Sequence, residues 1–289
     1  MTKLEKAVPG NLHAITALTA QFAHHALRRD LENSAVSSTL NPPKKRRLDN
    51  LRFCEDPTDP NILYLQYGND YDSYGLCKTN DGGANWDQTG LGGLNGLNAL
   101  VIDPTTPATL YAATNSTSGP TSECALMDCS VIGGVQQSTD GGATWNFVGL
   151  ANQDVSLLAI DPLQPNVLYA VVTSNPRGLF KSTDSGASWS PINNGLGDFI
   201  VNALIVDPDQ TNVLYLATSG YGVFKSSDGG ATWAQFNDGL TFLDVRSLAI
   251  VRGASPAVYA GTPGGVFRLV DRRELGTQIR HREQDAKKY

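Results

Sequence analysis

Between residues 66 and 75 the chain reads QYGNDYDSYG, where Tyr67 precedes Gly68, and Tyr71 and Tyr74 interleave with Asp70 and Asp72 before Gly75. Two kinds of chemistry use such a set. Flat aromatic faces with a polar tip suit a sugar ring or a protein epitope. Carboxylates held about 5–9.5 Å apart run glycoside hydrolysis, one as acid and the other as base or nucleophile. Further along, Arg177, Tyr221 and Arg246 add an aromatic ring and two guanidinium groups, whose fork suits bidentate capture of a carboxylate. A third set is Asp81, Asp140, Asp184 and Asp228, each lying five residues before a tryptophan: Trp86, Trp145, Trp189 and Trp233.

For any of these residues to act together, the elements that carry them must converge, and the tryptophans show how the chain is built. KTNDGGANW, QSTDGGATW, KSTDSGASW and KSSDGGATW end at Trp86, Trp145, Trp189 and Trp233, at spacings of 59, 44 and 44 residues. An Asp-Pro pair precedes each phrase, at Asp56, Asp103, Asp161 and Asp207. Between the two landmarks lie NILYLQYG, ATLYAATN, NVLYAVVT and NVLYLATS. A repeat of about 40–50 residues this rich in β-branched and aromatic residues predicts an all-β fold, a β-propeller of four-stranded antiparallel blades.

One unit shows the reading. VNALIV (201–206) is apolar enough for a doubly buried inner strand, and DPDQTN (207–212) is a turn. VLYLATS, GVFKSS and TWAQFN then supply strands two, three and four, each expected to run five or six residues. The Asp-Gly-Gly phrase bridges strands three and four, its glycines taking the positive φ of a tight hairpin. A fifth unit, from Val245 to Asp271, supplies strands one to three with no such hairpin after Phe267 and Arg268. The ring is not visibly closed.

In a propeller the one–two and three–four hairpins share a face, and the two–three and four–one connections share the other. The four aspartates sit on four separate blades and cannot converge, so the phrase is scaffolding. Ligand chemistry belongs to the opposite face, where Tyr67, Asp70, Tyr71, Asp72, Tyr74, Arg177, Tyr221 and Arg246 are the binding candidates. The connections DFIVN (198–202) and FLDVR (242–246) border it, as does the long insertion 115–134. Carboxylates available there are Asp70, Asp72, Asp154, Asp198 and Asp244.

Ser-x-Asp-x-Gly-x-Thr-Trp resembles the Asp-box, or bacterial neuraminidase repeat, at Ser138–Trp145, Ser182–Trp189 and Ser226–Trp233. Thr79–Trp86 departs from it with Thr79 for Ser and Asn85 for Thr. Proteins with this repeat include sialidases, xyloglucan-cleaving glycosidases, sortilin-like receptors and photosystem II assembly factors. The resemblance implies a structural Asp-box away from the active face and an extracytoplasmic or secreted location. Function does not follow from the fold. No Arg-Ile-Pro precedes the first repeat, Glu55 and Glu123 are the only glutamates of residues 51–270, and the paired aspartates of a xyloglucanase are not matched. The expected function is therefore a non-catalytic recognition scaffold for a protein surface or glycan. The alternatives are a glycoside hydrolase, xyloglucanase-like or sialidase-like, and an inactive propeller fragment.

Charge and composition narrow the partners. Residues 1–50 carry eight Lys/Arg and four Asp/Glu, residues 271–289 six and four, and residues 51–270 eight and twenty, a net −12. An acidic body lacks the clustered cations that replace counterions on nucleic acid. No apolar run approaches the roughly 20 residues of a membrane span, and His13, Gln21, His24 and His25 interrupt the only candidate leader, Leu12–Leu27. All four histidines lie outside 51–270, and Cys54, Cys77, Cys124 and Cys129 lack zinc-ligand spacing, so neither a metal nor a cofactor is expected. Cys124 and Cys129 are close enough in sequence to bridge in an oxidising compartment. Three segments result: an extension at 1–50 that ends in a Pro-broken basic linker (41–50), the propeller at 51–270 and a charged tail at 271–289. Ile15, Leu18, Phe22, Leu27 and Leu31 predict a helix over 12–32, against a reading of 8–20 as the missing fourth strand.

Overall fold

The repeat in the sequence becomes a repeat of sheets in the computed structural model, which describes residues 52–68, 74–92, 97–115, 133–251 and 257–269. The first sheet holds β1 (Arg52–Glu55), β2 (Leu63–Gly68), β3 (Tyr74–Thr79) and β4 (Asp87–Gly92). The second holds β5 (Leu97–Ile102), β6 (Leu110–Thr114), β7 (Gly134–Ser138) and β8 (Asn146–Gly149). The third holds β9 (Val155–Ile160), β10 (Leu168–Val172), β11 (Gly178–Ser182) and β12 (Ser190–Pro191). The fourth holds β13 (Val201–Val206), β14 (Leu214–Thr218), β15 (Gly222–Ser226) and β16 (Ala234–Gln235). The fifth has three strands, β17 (Ser247–Val251), β18 (Ala257–Thr262) and β19 (Gly265–Leu269). Each strand pairs antiparallel with the next, so every sheet is a meander. The expected N-terminal helix, the basic linker, Cys124, Cys129 and the charged tail lie outside the described residues.

The second strands explain the stacking. β6, β10 and β14 are buried at all five positions, because sheets pack on both of their faces. In β14, Leu214 and Leu216 join Phe224 against the third sheet, whereas Tyr215 and Ala217 join Val223 against the fifth. Comparable clusters join the first sheet to the second and the second to the third. The inner strands pack in chain order, β1 against β5, β5 against β9, β9 against β13 and β13 against β17. Val266 shows the difference at the far end. It occupies the place of fully buried Val223, yet it is 74% exposed.

Two of the outer strands are much shorter than the sequence predicts, whereas β4 has the expected six residues. β12 and β16 have two residues each, where the spacing predicts five or six. Asparagine side chains end them. The Leu179 and Val223 N–H groups donate to Asn193 Oδ1 and Asn237 Oδ1, both at 2.7 Å, replacing ladder bonds and releasing the chain toward the next sheet. Among the described residues no helix is long and apolar enough to cross a membrane.

Candidate functional site

Each repeated hairpin is a closed hydrogen-bond circuit. Asp140 Oδ1 accepts from the Ser138 hydroxyl at 2.8 Å and from Thr144 N–H at 2.9 Å, and Oδ2 accepts from the Thr144 hydroxyl at 2.5 Å. Asp184 and Asp228 repeat the pattern with Ser182, Ser188, Ser226 and Thr232. The divergent first copy keeps it, since the Thr79 hydroxyl and Asn85 Nδ2 donate to Asp81, each at 2.7 Å. The indole N–H groups of Trp86, Trp145 and Trp189 donate to Gly83, Gly142 and Gly186 in their own hairpins. That of Trp233 donates to Ile192 of the preceding sheet at 2.9 Å. Backbone bonds from Gly82 to Asn61, Gly141 to Ala108, Ser185 to Asn166 and Gly229 to Asn212 clasp each hairpin to the turn after its first strand. These carboxylates hold the hairpin together through its own side chains and backbone.

The opposite face brings other residues together. Arg177, at the end of the β10–β11 turn, donates from a terminal nitrogen to Asp198 Oδ1 at 3.3 Å, in the connection from β12 to β13. The Arg177 side chain is half in solvent and that of Asp198 largely so, so the pair adds little stability. The next residue, Phe199, stacks on Phe224 at 4.9 Å and meets the Tyr221 ring at 5.3 Å. Tyr221 remains half exposed. Around them lie two adjoining hollows of about 370 and 410 Å³ that share Gly197, Asp198 and Phe199. One extends along Tyr221 and Phe224 to Trp233, the other along Thr173, Pro176 and Arg177. The result is a cleft with an aromatic wall beside an Arg–carboxylate pair, able to stack an apolar ring face and hydrogen-bond its polar rim.

Of the sequence candidates, Arg177 and Tyr221 meet at this cleft. Arg246 lies in the next connection, paired with Asp244 at 3.3 Å. Tyr67 and Tyr74 fall at facing ends of β2 and β3, opposite Gly75 and Gly68. Asp70, Tyr71 and Asp72 lie outside the described residues. Phe199, Ile200, Phe242 and Leu243 were not singled out by sequence. Their signal was present: apolar residues in two connections that a solvent-exposed loop would make polar. Among the described residues no group of three or more His, Cys, Asp or Glu side chains is arranged to hold a metal ion.

No family model and no curated protein matches the chain. Solved structures do. An ancestral GH74 enzyme aligns at a TM-score of 0.54 and 19% identity over 79% of this chain and 32% of its own. A GH74 enzyme from Niastella koreensis aligns at 0.52 and 19% over 75% and 38%. A GH74 xyloglucanase from Xanthomonas campestris aligns at 0.54 and 19% over 78% and 38%. The chain thus spans about a third of the length of these enzymes. At this identity the likeness is one of fold, and the fold is a β-propeller.

Proposed function

We propose that the protein is directed at polysaccharide, holding a glycan in the cleft between its third and fourth sheets. The observation that carries the reading is the half-exposed Tyr221 ring against Phe199, beside the Arg177–Asp198 pair. The aromatic wall supplies stacking area at low entropic cost, and the ion pair supplies donors and acceptors for hydroxyl groups. Structural neighbours described as GH74 enzymes, one of them a xyloglucanase, favour a glycan over a protein surface as the ligand. They also make glycoside hydrolysis the activity to test first. In that reading the acid and base are to be sought among the described carboxylates of the same face, Asp154, Asp198 and Asp244, of which Asp198 lines the cleft. The repeated aspartate hairpins, read as Asp-boxes, are scaffold.

Incubating the purified chain with xyloglucan, mixed-linkage glucan and a sialylated glycan, with binding and reducing ends both measured, tests this. Retention on a polysaccharide supports the cleft, and new reducing ends abolished by Asp198→Asn or Asp154→Asn support hydrolysis. Absence of retention on every glycan refutes the proposal.

A further inference from the structure

The cleft does not end at Tyr221. The backbone N–H groups of Gly220 and Gly222 both donate to the Leu243 carbonyl, at 3.1 and 2.8 Å, while Ser219 N–H donates to the Ile200 carbonyl at 3.0 Å. These bonds tie the β14–β15 turn to the connections on either side of it. Ile200, Tyr221 and Leu243 therefore belong to one surface. Phe242 continues it: its ring lies over Gly264 in the β18–β19 turn, leaving no room there for a Cβ, and sits 6.0 Å from the Phe267 ring. Ile200, Tyr221, Phe242 and Leu243 are between 41% and 57% exposed, four of the seven large apolar side chains left exposed among the described residues.

The 44-residue period relates the two halves of this surface. A shift of 44 takes Arg177 onto Tyr221 and Asp198 onto Phe242. The positions that form a charged clasp at one sheet junction thus carry two aromatic rings at the next. Beyond them, Arg246 and Asp244 put a second ion pair beside Leu243. Across the three sheets this surface thus combines two ion pairs with exposed aromatic and apolar side chains. A ligand matched to apolar and polar groups at successive sheets is one that itself repeats both. A sugar chain does, since each ring offers apolar C–H faces and a rim of hydroxyls.

We propose that Phe242 and Leu243 form a second platform, so that the ligand is an extended run of sugar rings lying across the third, fourth and fifth sheets, not a chain end held at Tyr221 alone. This rests on the glycan reading above. Titration calorimetry with β-1,4-linked gluco-oligosaccharides and xyloglucan oligosaccharides of increasing length tests it on the full chain. Wild-type affinity rises with length, and Phe242→Ala flattens that rise, losing roughly tenfold on the longest oligosaccharides. Phe242→Tyr keeps the rise. Leu243→Ser flattens it as Phe242→Ala does while leaving the ring over Gly264, which separates a lost contact from a disturbed turn. If Tyr221→Ala abolishes binding but both platform variants keep the wild-type length dependence, the glycan reading stands and the extension is refuted. If Tyr221→Ala binds as wild type, or the wild type binds none of these sugars, both fall.

Discussion

Asp228 gathers three donors on one carboxylate, the Ser226 hydroxyl and the N–H and hydroxyl of Thr232. Hydrogen bonds to the ionised form, the Thr232 hydroxyl first, draw its pKa down from 3.8 to about 2. Asp140 and Asp184 are drawn down to about 2 in the same way, by Thr144 and Ser188, and Asp81 chiefly by the Asn85 N–H. A depressed folded pKa gives stability that is complete above the unfolded value and lost as pH falls through the folded one. Thermal midpoints should therefore fall between about pH 4 and pH 2, and Asp140→Asn with Asp228→Asn should make that fall shallower. Parallel curves for wild type and variant would contradict the assignment. The thiols go the other way. Burial, then the charges of Glu55 and Asp56, pushes Cys54 up to about 12, and burial with Asp87 pushes Cys77 up to about 11. Peptide mapping after brief N-ethylmaleimide treatment should find both unmodified in the native protein and both modified in urea.

Among the elements, the hairpins work between sheets as well as within them. Gly90 N–H donates to Gly142 O of the next sheet at 2.9 Å, and the Lys181 ammonium reaches the Gly229 carbonyl at 3.0 Å. Gly195 belongs to the same set. It has φ +90°, and a Cβ there would run into the Trp233 carbonyl. Its counterpart 44 residues on, Gly239, has φ +83° and open space around it. The two glycines share a backbone conformation and differ only in whether a hairpin approaches. Gly239→Ala should cost about 1–2 kcal/mol, the ordinary price of a left-handed alanine, and Gly195→Ala several kcal/mol as two backbones are forced apart. Urea unfolding of the two variants measures the difference; equal losses would mean the approach of Trp233 contributes nothing.

At the scale of the whole molecule the described sheets form a series with unlike ends. Val223 is fully buried between two sheets, and Val266, in the same register, is not. Val266→Lys should leave the unfolding midpoint near that of wild type, whereas Val223→Lys should prevent folding, because an unpaired ammonium cannot be left in an apolar interface. A collapse of both variants would mean that the fifth sheet is covered in solution. The series itself was legible in the sequence, down to three strands in the fifth unit, because apolar alternation and turn residues are local signals. The short β12 and β16 were not legible, since their ends are set by Asn193 and Asn237 reaching across to the neighbouring strand. Arg177 and Tyr221 were legible as candidates by residue type and loop. Their meeting around Phe199 was not, because it depends on how a connection from one sheet lands beside a turn of the next. The central claim is that this meeting place binds sugar. Migration of wild type and Tyr221→Ala through native gels with and without xyloglucan tests it most directly. Retardation of the wild type that Tyr221→Ala removes is the predicted result, and identical migration of the two proteins in both gels would contradict it.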